Sequence, residues 1–206
     1  LSALVIGLTG GIGSGKSAAA NAFQQCGAAV VDTDALSHAL TAPGGAAIAP
    51  IFDAFGAHMI TAQGALDREA MREEVFTHPD SRARLEAILH PLIRAAALAA
   101  CRACAADPAV SYVVLVVPLL IETGAYADVI ARIAVVDCPE ALQIERVHAR
   151  SGLDETRIRS IMASQVPRAT RLAAADDVID NSTDLAHLHQ SVAALHQKYL
   201  ELAQKA

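Results

Sequence analysis

The stretch Leu4-Val5-Ile6-Gly7-Leu8-Thr9-Gly10-Gly11-Ile12-Gly13-Ser14-Gly15-Lys16-Ser17 joins a short apolar run to a glycine-rich loop. Leu4, Val5, Ile6 and Leu8 have the character of a strand buried on both faces of a parallel sheet. Gly10, Gly15, Lys16 and Ser17 then satisfy G-x-x-x-x-G-K-[ST], the phosphate-binding loop. Glycine at 10, 11, 13 and 15 permits backbone dihedrals closed to other residues and keeps side chains away from the phosphates. The backbone N–H groups of Gly11, Gly13, Ser14, Gly15, Lys16, Ser17 and Ala18 are then candidates for an anion nest at a helix N-terminus. Lys16 brings a full charge to the β- and γ-phosphates, and the Ser17 hydroxyl is a ligand for Mg²⁺. A merely flexible turn is disfavoured, because the loop stands between a strand and a helix, where its mechanism requires it. The pattern points to a nucleoside triphosphate but not to what is done with it.

Beyond the loop, Ser17 to Gln25 reads as a helix stopped by Gly27, and residues 28–32 as a second strand ending in Asp32-Thr33-Asp34. Ligands bind at the carboxyl ends of parallel strands, so both carboxylates fall near the phosphates. One is suited to accept a proton from an attacking hydroxyl, and the other to hold a water on Mg²⁺. Asp34 is the candidate base and Asp32 the candidate metal residue, acting through water. A simpler role for Asp34, capping the helix that follows, stays open.

Three more strands are expected at 111–117, 132–136 and 177–180, with 3–9 as the first. Strands alternating with helices predict an α/β fold, a parallel sheet of five strands joined by right-handed crossovers. The whole chain, 1–206, reads as one such domain, with 1–42 and 111–206 as its core. Residues of about 43–110 form a helical insertion too long for one crossover, and about 147–168 a polar, arginine-bearing lid. Within the insertion, Pro91 predicts a kink or break at His90. Arg146, Arg150, Arg157, Arg159, Arg168 and Arg171 cluster near the lid, and such a run is ordinarily a solvated helix face. In a phosphoryl-transfer enzyme it also offers charge for the migrating group, and Arg150 is the first choice. Asp137 ends a strand and is followed by Glu140, a pattern that favours helix capping over metal binding.

Composition narrows the classes. Net charge is −6, aromatic content is 3% and there is no Trp, which argues against a nucleic-acid surface. Thirteen of the sixteen basic residues are Arg, a side chain suited to local bidentate anion sites. The most apolar strand region, Tyr112 to Ile121, is about half the length of a bilayer span, so no membrane segment is expected. No secretion signal is evident at the N-terminus. Cys101 and Cys104 form a C-x-x-C inside an alanine-rich helical pattern, where thiols at that spacing act as small hydrophobes. Reduced cysteines and a nucleotide site fit a cytoplasmic protein. The sequence leaves the oligomeric state open.

The phosphate loop, Asp32-Thr-Asp34, His90-Pro91-Leu-Ile, Val117-Pro-Leu-Leu-Ile-Glu122 and Asp176-Asp-Val-Ile-Asp-Asn181 together resemble dephospho-coenzyme A kinase across nearly the whole chain. The resemblance implies a P-loop kinase core of the nucleoside-monophosphate-kinase type, with a helical substrate domain and a lid. It also implies transfer of the γ-phosphate of ATP, with Mg²⁺, to the ribose 3′-hydroxyl of dephospho-coenzyme A. By the same resemblance Asp34 is the catalytic base and the lid arginines approach ATP, beside Lys16 and Arg150 as read above from the loop and the helix end. His90, Arg94, Pro118 and Leu119 lie toward the acceptor, and Arg146 and Asn181 toward ATP. One departure is Ala18, where the family usually has Thr; losing that hydroxyl predicts weaker ATP binding, not loss of activity. Shikimate kinase also pairs a phosphate loop with D-x-D but needs no such insertion. A GTP-binding switch would require an N-K-x-D motif, which this chain lacks.

Overall fold

The computed structural model of the chain describes residues 4–205. Its strands are β1 (Leu4–Gly10), β2 (Ala29–Asp32), β3 (Tyr112–Val116), β4 (Arg132–Asp137) and β5 (Asp177–Asp180). They form one sheet in the order β2-β3-β1-β4-β5. β1 runs parallel to both β3 and β4, and β4 parallel to β5. Gly10 pairs with Val136, and Asp137 with Asp180, so the register brings the carboxyl ends of β1, β4 and β5 together. The helices are α1 (Lys16–Gln25), α2 (Thr33–Leu40), α3 (Ile48–Phe55), α4 (Arg68–Thr77) and α5 (Pro79–Ala105). They continue as α6 (Leu120–Thr123), α7 (Glu140–Ser151), α8 (Glu155–Ala163), α9 (Arg168–Ala173) and α10 (Leu185–Ala203). The short α6 has no counterpart in the sequence reading, since four residues are too few to show a period.

The chain divides into two compact units, one ending at Val31 and resuming at Ala100, the other spanning Asp32–Ala99. The helical insertion expected at about 43–110 thus compares with a unit that begins and ends some ten residues earlier.

In the larger unit, Ile6, Leu8, Val114 and Val136 of the sheet pack with Ala19 and Phe23 of α1 and with Leu188, Val192 and Tyr199 of α10. Burying each large side chain here stabilises the fold by about 1.5–3 kcal/mol. Phe23 stacks on Tyr199 with ring centroids 5.9 Å apart, and Tyr112 meets Tyr199 edge-on at 5.5 Å. The apolar face of α10 is thus buried from Leu188 onward, while Leu185, the first helical residue, is 58% exposed. Cys101 is buried and desolvation pushes its thiol up to about 11, so it behaves as a small hydrophobe. Among the described residues no His, Cys, Asp and Glu cluster could hold a metal on its own.

Polar groups of this unit are tied at Asp177. Its carboxylate accepts hydrogen bonds from Arg132 (2.9 Å), Tyr199 (3.0 Å) and Lys198. Burial alone raises the Asp177 pKa, but the bonds from Arg132, Lys198 and Tyr199 outweigh it and hold the carboxyl below its ordinary value. A depressed folded pKa contributes stability that is complete above the unfolded value of about 4 and is lost as pH falls through the folded one. Asp177→Asn should therefore cost about 2 kcal/mol at pH 7 and flatten the acid limb of the stability profile. Melting temperatures of both proteins between pH 7 and about pH 3 check this; parallel profiles would contradict it.

The smaller unit has its own core of Ala47, Ile51, Phe55, Met59, Leu66 and Met71, joined by Leu85, Ile88, Leu89 and Leu92 of α5. The Arg84 guanidinium lies over the Phe55 ring at 4.2 Å, a cation–π contact. Asp67 caps α4, accepting from the N–H groups of Glu69 and Ala70.

Two expectations bear on α5. The helix is continuous through Pro91, so of the kink or break expected at His90 the break does not occur. Proline deprives the carbonyl four residues earlier of its donor, but Ala87 and Pro91 are both exposed, so water can serve that carbonyl. Second, α5 has 27 residues and an 18-residue window of mean hydropathy 1.3, enough by length and composition alone to cross a membrane. Alanine, spread over several turns, supplies much of that value, so the helix lacks the dense apolar run by which Tyr112 to Ile121 drew notice.

Candidate active site

The phosphate loop is shaped by backbone geometry. Gly15 is the N-cap of α1 with φ +98°, a left-handed conformation. A Cβ there would also collide with the Asn181 side-chain amide. Helix α1 begins with no side-chain cap and no acid in its first turn, so its leading N–H groups are available to an anion. Lys16 Nζ donates to the Gly10 carbonyl at 2.7 Å, folding the amine along the loop. Ser17 is exposed at the same helix end, where a metal ligand is needed.

The loop is braced from several sides. Buried Asn181 donates from Nδ2 to the Ser14 carbonyl at 2.7 Å. The sequence reading placed Asn181 toward ATP; what the structure records is its hold on the loop's backbone. Ile12 N–H donates to Gln165 Oε1 at 3.0 Å. Behind Gly11 stand buried Arg171 and Gln143, whose side chains lie 3.0 Å and 3.2 Å from where a Cβ would be. Arg171 donates to the Val166 carbonyl at 2.9 Å, and Gln143 to the Cys138 carbonyl at 3.3 Å.

Asp137 does not cap α7. The N-cap is Pro139, without a side-chain bond, and the Asp137 carboxylate instead takes a bidentate grip on Arg168 at 2.8 Å and 2.6 Å. Asp137 is still a strand residue, two positions before the cap, while the first turn of α9 carries Arg168 to it. Hydrogen bonding to Asp137 raises the Arg168 pKa and so favours the charged guanidinium.

The remaining arginines differ in what they touch. Arg146 is half-buried, with Nη1 3.7 Å from Cys138 Sγ. Arg150 is exposed in the last turn of α7, just before Gly152 ends the helix in a left-handed conformation. Arg159 pairs with Glu155 one turn away on α8, an exposed pair worth little to stability. On the strand side, Thr9 Oγ1 donates to the Pro118 carbonyl at 3.1 Å, and Leu119 is 40% exposed.

In the smaller unit the cap of α2 is Asp32, not Asp34. Asp32 Oδ1 accepts from Asp34 N–H at 2.8 Å and Ala35 N–H at 3.4 Å. Asp34 lies in the first helical turn and is exposed. The capping role left open for Asp34 is therefore taken by its neighbour. His90 is exposed and Arg94 half-buried on α5.

The sequence model of the dephospho-CoA kinase family matches residues 4–187. The chain belongs to that family. A dephospho-CoA kinase of Dechloromonas aromatica is 55% identical over 203 residues, covering 98% of this chain and 96% of that one. The corresponding protein of Aromatoleum aromaticum is 58% identical over 199 residues, covering 97% and 95%. Among solved structures, dephospho-CoA kinase from Campylobacter jejuni shares the fold, with TM-score 0.67 at 20% identity over 97% of this chain and 98% of that one. The family uses ATP with Mg²⁺ as phosphoryl donor, and the residues present fit them. The N–H groups at the start of α1, which lacks a side-chain cap, the adjacent Lys16 amine and the exposed Ser17 hydroxyl form a donor set for phosphate and a hard cation.

Two residues beside the loop escaped the sequence reading: Gln143 and Gln165. Gln165 meets Ile12 across 153 residues of chain, and no local pattern announces such a contact. Its only sequence marker is Pro167, which separates two helical patterns.

Proposed function

We propose that the chain transfers the γ-phosphoryl group of ATP to the ribose 3′-hydroxyl of dephospho-coenzyme A, giving coenzyme A and ADP. The observation that carries this reading is the family match over residues 4–187, on a chain whose phosphate loop is complete. In this reading the N–H groups from Gly13 to Ala18 hold the phosphates, and Lys16 follows the charge as it shifts toward ADP. Mg²⁺, when bound through Ser17 and a water on Asp32, neutralises phosphate charge. Asp34 takes the proton of the attacking hydroxyl. Arg146 and Arg150 serve the ATP side, and His90, Arg94, Pro118 and Leu119 the acceptor side. Asn181 serves ATP through the loop it supports. Substrate chemistry and the four free cysteines favour the cytoplasm, with small molecules in place of nucleic acid or membrane as partners.

The test is to offer purified protein, ATP and Mg²⁺ either dephospho-coenzyme A, shikimate or nucleoside monophosphates, following ADP release. Turnover with dephospho-coenzyme A alone is expected; a preference for another acceptor would refute the assignment. The proposed lid adds a second expectation. The segment around Gly152 and α8 should be cut by protease in the free protein and protected when both substrates are present. Cleavage rates indifferent to ligand would argue against closure there.

A further inference from the structure

We propose that Gln165 is a positioning residue of the phosphate loop, and that Gln165, Val166 and Arg168 form the fixed root from which the lid extends. The proposal rests on the kinase reading above. A nest of N–H groups pointing at one anion site is strained while that site is empty, because parallel dipoles repel. Such a loop needs anchors from outside itself. Asn181 holds the Ser14 carbonyl, and the Gln165 side-chain carbonyl holds the Ile12 N–H at 3.0 Å.

Gln165 is itself held. Its neighbour Val166 donates its N–H to Glu122 Oε1 at 3.0 Å and accepts from Arg171 at 2.9 Å. Two residues further on, Arg168 is clamped by Asp137 at the end of β4. The segment 165–168 is thus bonded to α6, α9, β4 and the loop at once. The lid expected at about 147–168 cannot move at its C-terminal end without breaking these contacts. Its moving part is confined to the residues between Gly152, where α7 ends, and Ser164, where α8 ends. Through Gln165 the root sets the orientation of the Ile12 peptide, and so the geometry presented to ATP but not that presented to the acceptor.

The experiment uses the full-length chain with Gln165→Met, which keeps length but removes the acceptor, and Gln165→Glu, which keeps an acceptor oxygen. Hydrogen exchange at the Ile12 amide is measured in nucleotide-free protein, with KM for each substrate and Tm alongside. Gln165→Met should speed Ile12 exchange and raise KM for ATP, each by about tenfold, leaving KM for dephospho-coenzyme A within about twofold. Gln165→Glu should restore slow exchange at Ile12, although its charge opposes ATP. Unchanged Ile12 exchange in Gln165→Met would overturn the proposal. So would an equal rise in both KM values with a lowered Tm, as general loosening of the fold would give. The exchange measurement needs no turnover, so a failure of the kinase reading would show separately, in wild-type protein inactive on dephospho-coenzyme A.

Discussion

Lys16→Ala is expected to lower phosphoryl transfer by about a hundredfold or more while leaving the fold intact. The Lys16 amine lies along the loop, donating to the Gly10 carbonyl, beside the N–H groups that open α1. As the γ-phosphoryl group leaves, negative charge grows on the oxygen it departs from. A fixed ammonium there stabilises the transition state more than the ground state, and the difference appears in kcat. The amine is not part of the hydrophobic core, and its truncation removes the hydrogen bond to the Gly10 carbonyl. The check is kcat at saturating ATP, with Tm measured in parallel. Near-normal turnover would remove the loop from the chemistry; a collapsed Tm would mean that the lysine holds the loop together.

Asp34→Asn should lower kcat by about a hundredfold or more with little change in ATP affinity. A ribose hydroxyl is a poor nucleophile and needs both alignment and an acceptor for its proton as the new bond forms. Asparagine keeps the size and hydrogen-bonding reach of the side chain but not the basic carboxylate. The structure sharpens this test. Asp32 carries the cap of α2, accepting from two N–H groups, so Asp34→Asn leaves the cap in place. Loss of a favourable charge from the first turn itself costs about 0.3–1 kcal/mol. A large fall in kcat with a small change in Tm is therefore the signature of a base. If kcat survives, the proton goes elsewhere. If ATP and Mg²⁺ binding collapses while turnover at saturation persists, Asp34 serves the metal and Asp32 becomes the candidate base.

The loop itself was legible because its chemistry is local. Glycines, lysine and serine at set spacings act through their own backbone and side chains, within one strand-to-helix turn. The five strands were legible for the same reason, since short apolar runs between helical periods leave few other readings. The choice between Asp32 and Asp34 as the cap of α2 was not visible locally. Both are acids at one strand end, and only the backbone path decides which lies just before the first turn.

The sequence by itself determined the parallel α/β core, the phosphate loop and the ordered motifs that place the chain in its kinase family. Each depends on residues a few positions apart, where covalent geometry does the selecting. Tertiary structure alone decided that Asp137 grips Arg168, that Gln165 holds Ile12 and that Asn181 braces Ser14. These partners stand 31, 153 and 167 residues apart. Their pairing follows from strand register and helix packing, because a buried polar group takes whichever partner the fold brings within reach. Pro91 makes the same point in the opposite sense. Its local rule predicts a kink or a break, and the helix runs on through it, with the affected turn facing water.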